Sequence, residues 1–180
     1  MKKQMVMVVL SLGLISLGSS QVSAQNSDHV GTSVNIVLAD VISIDQGSVA
    51  SGGTVDFNYV NTTDYNSSKS VTVPNSLIIN SSKNFDVKIK SDGANFINGA
   101  NLIPVDVLQV KAISGGSLMG TMNEVTLSTN DQVLVSNASL GAKRILNIAY
   151  SISAEKASKV LLGKPKGTYT QIVTYTATAL

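Results

Sequence analysis

The chain has no cysteine and no tryptophan, a single histidine, three prolines and only 4% aromatic residues. Each shortage closes a class of function. Without thiols there is no disulfide framework and no thiolate nucleophile, and with one histidine a zinc centre has no ligand set. Without tryptophan, an aromatic platform for sugars lacks its usual anchor. The one histidine, His29, stands in the polar run Gln25–His29, where nothing holds an imidazole in the rigid pocket that a Ser-His-Asp arrangement needs. It reads as a solvated tail residue. The nine aspartates and two glutamates are scattered singly, and none suggests the facing carboxylates of a glycosidase. Asp92, Asn95 and Asn98 share one loop and offer oxygens of the kind calcium accepts. Their spacing departs from the EF-hand loop, and a plain turn is the simpler reading. The expectation is a protein that is not an enzyme, with no catalytic residue, no metal site and no cofactor.

Charge is also scarce, at 13% of residues. The opening Met1–Ala24, "MKKQMVMVVLSLGLISLGSSQVSA", has a basic head, an apolar run too short for a comfortable membrane span, and small residues at Val22 and Ala24. This is the pattern of a cleaved secretory signal peptide. Its removal leaves 156 of the 180 residues, enough for one domain with a real core. Losing Lys2 and Lys3 lowers the basic count from 13 to 11, equal to the 11 acidic residues. A neutral surface argues against nucleic acid, which needs clustered Lys and Arg, and lowers one barrier to self-association. No later stretch reaches the length of a membrane helix, so no transmembrane segment is expected in the mature chain. Asn61, Asn66, Asn80 and Asn137 begin Asn-x-Ser/Thr triplets; in so Asn-, Ser- and Thr-rich a chain these arise by chance.

What abounds is Val, Ile, Ser, Thr and Asn, a balance that suits pleated, half-buried sheets. "GTSVNIVLADVISID", Gly31–Asp45, alternates over a long stretch, broken by Asp40. "TVDFNYV" puts Val55, Phe57 and Tyr59 on one face, and "NFDVKIK" puts Phe85, Val87 and Ile89 inward. "VTVPNSLIIN" reads as two short strands split at Pro74. Ser91–Asn101 reads as a loop, "VDVLQVKAI" as a strand, and "NEVTLS" with "QVLVS" as a hairpin around Thr129–Asp131. "RILNIAYSIS" aligns Leu146, Ile148, Tyr150 and Ile152. Ala154–Gly167 is the one stretch with helical character, stopped by Gly163 and Pro165. About eight to ten short strands with regular turn signals predict an all-β antiparallel sandwich, as residues 32–180 in a single domain behind a flexible segment, 25–31.

The ends carry a resemblance. "GTYTQIVTYTATAL", Gly167–Leu180, resembles the closing strand of bacterial pilins of the chaperone–usher type, in particular the archaic, spore-coat-U-like branch. "SVNIVLADVISI" is similar to their alternating N-terminal segment. The resemblance covers about thirty residues; the disulfide common in such pilins and the Phe-Gly pair after their first strand are absent, the latter slot carrying "IDQGSVASGG". It implies an immunoglobulin-like sandwich lacking one strand, whose groove is filled by the N-terminal extension of the next subunit to build a surface fibre. It also implies partners: other copies of itself or related subunits, with a periplasmic chaperone and an outer-membrane usher. The candidate donor strand is 33–44, with Val34, Ile36, Leu38, Ile42 and Ile44 as its apolar face. Asp40 is costly in an apolar groove. It can instead mark a turn between a donor strand, Ser33–Leu38, and a native first strand, Val41–Ile44. Two alternatives stay open: the opening segment is strand A of a closed domain, or the protein is a self-contained secreted adhesion module that binds a carbohydrate or protein through loops such as Ser91–Asn101.

Overall fold

Branched apolar residues alternating with polar ones dominate the chain, and they form sheet. The computed structural model describes residues 30–180. The expected signal peptide, residues 1–24, and His29 lie outside the described residues. Residues 38–180 form one compact unit. Val30–Val37, taken by itself, carries no helix or strand, and every residue in it is exposed.

The described residues contain eleven strands: β1 (Ile42–Ile44), β2 (Lys69–Ser81), β3 (Phe85–Ser91), β4 (Asn95–Asn98), β5 (Asn101–Pro104), β6 (Leu108–Ile113), β7 (Thr121–Met122), β8 (Glu124–Thr126), β9 (Gln132–Ala138), β10 (Gly141–Ile152) and β11 (Val173–Ala179). They form a five-stranded sheet in the order β1-β2-β10-β6-β8, a four-stranded sheet in the order β11-β3-β9-β7, and the hairpin β4-β5. Every strand pairing is antiparallel. The all-β, sandwich-like character expected from the alternation is therefore present.

The two larger sheets share one core. Leu77, Ile79, Leu146 and Ile148 come from the five-stranded sheet, and Phe85, Val87, Ile89 and Leu134 from the four-stranded one; none is more than 1% exposed. Burial of each such side chain contributes about 1.5–3 kcal/mol. With no disulfide to constrain the unfolded chain, this burial and the sheet ladders carry the stability.

Several local expectations need correction. Pro74 does not split β2, which runs for 13 residues. Leu146 pairs with Leu77 and Ile148 with Val73, so Pro74, Asn75 and Ser76 lie opposite Asn147 alone. Asn75 adopts φ 52, and its N–H donates to Asn147 Oδ1 at 2.9 Å. Inside such a bulge the missing proline N–H breaks no ladder bond. The expected loop Ser91–Asn101 contains β4 and the start of β5, joined through Gly99 at φ 58. The "VDVLQVKAI" strand begins only at Leu108, after a 3-10 turn over Val105–Val107. The helical stretch is a single capped turn, Ala154–Lys156, followed by a π turn, Ala157–Leu161.

The predicted hairpin of β8 and β9 does not form. β8 pairs with β6, whereas β9 pairs with β3 and β7. Between β7 and β8 the chain changes sheets at Asn123, whose N–H donates to the Leu134 carbonyl at 2.9 Å and whose carbonyl accepts from Ala112 N–H at 3.0 Å. Alternation in a three-residue strand does not specify its partner, so sequence alone misassigned it.

Ile148→Ala should lower unfolding free energy by about 2–5 kcal/mol, because the side chain is fully enclosed. Thr176→Ala, on the exposed face of β11, should change it by less than about 0.5 kcal/mol. Denaturant midpoints of the two variants would check the core assignment; equal effects would contradict it.

Candidate functional site

The segment predicted as the strand "TVDFNYV" keeps its alternation but has no ladder. Val55, Phe57 and Tyr59 are half-buried and pack against the core, while Thr54, Asp56, Asn58 and Val60 are exposed. Yet no backbone–backbone hydrogen bond reaches Thr54–Val60 from any described residue. The reason lies upstream. After β1 the chain follows β2 only as far as Ala50, through Asp45 N–H to the Ile78 carbonyl at 2.7 Å and Ala50 N–H to the Ser76 carbonyl at 3.0 Å. Buried Ser48 takes one ladder position itself, its Oγ accepting from Ile78 N–H at 2.9 Å. The turn closed by Gly53 N–H on the Val49 carbonyl then carries the chain away.

At its far end the run is anchored. Asn61 caps the short helix Thr62–Tyr65 in a reciprocal capping box with Asp64. Asp64 Oδ2 also accepts from Val60 N–H at 2.7 Å. Lys69 Nζ stands 2.8 Å from Asp64 Oδ1, donates to the Asn58 carbonyl, and lies 5.0 Å from the Tyr59 ring centroid. The Lys69 ammonium and the Val60 N–H hold the Asp64 carboxyl below the usual carboxylate range.

Opposite stands β11, the terminal strand of its sheet, paired to β3 on one side only. Thr54–Val60, with Val173 and Tyr175, line one groove of about 770 Å³. Its apolar lining includes Val73, Phe96, Ile103 and Leu161. Tyr150 and Tyr175 lie in the same lining, and their hydroxyls hydrogen-bond at 2.5 Å, joining β10 of one sheet to β11 of the other. Burial pushes the Tyr175 phenol far above its ordinary range, with Tyr150 adding to the shift. Burial also raises Tyr150, and the bond from Tyr175 works against that rise. The Tyr59 hydroxyl is buried and has no hydrogen-bond partner among the described residues.

The expected donor face divides in two. Ile42 and Ile44 lie in β1, paired to β2 of the same chain and packed on its core. They belong to a native first strand, which shortens the free candidate to Val34, Ile36 and Leu38. These three are 81%, 83% and 88% exposed. Asp40 stands between the two parts and pairs with Lys83 at 2.6 Å, both side chains exposed.

Asp92, Asn95 and Asn98 are not gathered into one ligand set. Asp92 Oδ1 accepts from Thr174 Oγ1 at 2.6 Å, the Asn95 carbonyl accepts from Gln171 Nε2 at 2.6 Å, and Asn98 Nδ2 donates to the Lys166 carbonyl at 3.4 Å. Among the described residues no three His, Asp or Glu side chains cluster as a metal site, and no helix is long and apolar enough to cross a membrane. The Tyr150–Tyr175 pair and the missing ladder of Thr54–Val60 escaped sequence reasoning. The alternation of Val55, Phe57 and Tyr59 was visible, but a pattern of faces says nothing about whether an edge has a partner. No family model matches the chain, and no curated protein matches it.

Tyr175→Phe leaves the Tyr150 hydroxyl without its partner and should destabilise the fold by about 1–3 kcal/mol, whereas the double change to Phe should recover most of that loss. A thermodynamic cycle over the four proteins measures the coupling. Both phenols titrate higher in the folded state than unfolded. Their contribution is therefore intact below about pH 10 and is lost as pH rises beyond it. The double Phe variant should show a flatter decline in that alkaline range.

Proposed function

We propose that the chain is a non-enzymatic structural subunit of an extracellular fibre that polymerises by β-strand exchange. In this reading the fold is an immunoglobulin-like sandwich short of one strand, and Ser33–Leu38 of a neighbouring subunit supplies it. One observation carries the proposal: among the described residues, Thr54–Val60 and β11 are two backbone edges without ladder partners on their groove sides, and both line the same groove, floored by apolar side chains. An inserted strand would pair with both edges at once, its alternate side chains filling the groove. Val34, Ile36 and Leu38 fit that role because they are apolar, exposed and spaced by two. The native placement of Ile42 and Ile44 in β1 leaves the subunit its own first strand after donation.

The same reading gives the chain its surroundings. An N-terminal signal peptide would export it, and assembly would place it at the cell surface. An unfilled groove of this size is an aggregation hazard in transit, which gives a periplasmic chaperone and an outer-membrane usher a physical task.

The test compares the chain from Gln25 with one beginning at Ala39. The longer chain should form SDS-resistant multimers, and the shorter should stay a folded monomer. Amide exchange at Thr54–Val60 should be fast in that monomer and slowed by at least about 100-fold in the multimer. Multimers from the shorter chain, or unchanged exchange in the longer one, would defeat the proposal.

A further inference from the structure

Resting on the strand-exchange reading, we propose that Asp40 is an ionic lock at the junction between subunits, its carboxylate held between Lys83 of its own chain and Lys164 and Lys166 of the chain that accepts its strand.

Topology sets the polarity. β1 enters the compact unit at the end where Ile42 pairs with Ser81 and where Phe85 pairs with Ala179. The chain follows β2 inward as far as Ala50, beside Ser76, and Thr54–Val60 continues toward the opposite end, where Asn58 meets Lys69 and where Lys69 pairs with Ile152 and Ser91 with Val173. Lys164–Gly167 line the groove before the start of β11, at that opposite end. A donor leaves its own body just before Val41. If it entered its neighbour at the Ser81 end, like ends would abut and the pair would close on itself. An open fibre requires a head-to-tail contact, so the donor enters at the Lys164 end. It then runs antiparallel to β11, and Leu38 is its last residue inside.

Length agrees with this placement. Thr54–Val60 is a seven-residue edge, roughly 23 Å at 3.3 Å per residue. Val30–Leu38 is long enough to span it. Asp40 lies two residues past Leu38, about 7 Å outside the groove mouth, within reach of a lysine on the rim.

Charge then selects the contact. Asp40 is the only charged residue between Val30 and Val41. On the helical turns just before the rim, Lys156 is paired to Asp106 at 2.8 Å and Lys159 to Glu155 at 2.7 Å. Lys164 and Lys166 are exposed and have no ion pair among the described residues. The Asp40–Lys83 pair is itself exposed, so it holds its geometry weakly and admits a second cation.

The experiment uses the chain from Gln25, released as monomer from denaturant and followed by light scattering. Asp40→Lys should slow assembly about 3- to 10-fold at low salt, and so should the double variant Lys164→Glu, Lys166→Glu; both deficits should shrink near 0.5 M salt. Mixing the two variants should restore the rate and yield a polymer in which they alternate, since each donor then meets an acceptor of opposite charge. Cross-links between labelled variants would read that alternation. If the unaltered chain polymerises through its N-terminal segment but each variant alone matches it, or the mixture is no faster than either alone, the lock is wrong and strand exchange stands. A closed dimer in place of a fibre overturns the lock as well. If the unaltered chain does not associate, both proposals fall.

Discussion

Backbone amides in water are content, and backbone amides sealed against apolar side chains without partners are not; an uncompensated one costs about 1–3 kcal/mol. The organisation of this protein turns on that difference. Thr54–Val60 packs one face of its side chains on the core while none of its N–H groups enters a ladder. β11 has no second ladder partner among the described residues, and its Val173 and Tyr175 line the same groove. Such a groove is tolerable while water reaches it. Covered by another molecule's side chains alone it would be costly, so an occupant has to bring backbone as well.

The opening is maintained by ordinary means. The capping box at Asn61 and Asp64, together with Lys69, pins one end of the run; the Gly53 turn pins the other. Across the groove, the two tyrosine hydroxyls tie β10 to β11. The ion pairs among the described residues are largely exposed and add little individually. What resists collapse is therefore geometric: a short helix, a turn and a pair of phenols, set around a core whose largest side chains have no exposure to lose.

Much of the fold could be read from the residues. Phe85, Val87 and Ile89, and Leu146, Ile148, Tyr150 and Ile152, alternate cleanly and all are buried. A period of two is a strong signal when one face must be dry. Legibility failed where an outcome depended on a distant partner. β8 and β9 are adjacent in sequence but belong to different sheets. Pro74 was tolerated because a bulge surrounds it and Asn147 serves Asn75. At the candidate site, the apolar character of Val34, Ile36 and Leu38 was evident, and so was the oddity of Asp40. The assignment of Ile42 and Ile44 to the chain's own sheet depended on hydrogen bonds to β2 that no local pattern announces.

Asn123 gives the molecule a handedness of compliance. Its N–H belongs to one sheet and its carbonyl to the other, and it sits between the edge strands β7 and β8, on the side of each sheet farthest from β11 and β1. The two layers are thus stitched by backbone along one margin, while along the other they are held by the Tyr150–Tyr175 hydroxyl bond and by the approach of β1 to β11. Any spreading about that stitch would be smallest at Asn123 and would fall chiefly on the tyrosine bond at the far margin. A molecule wedged into the groove would load the two phenols while barely disturbing the backbone stitch at Asn123.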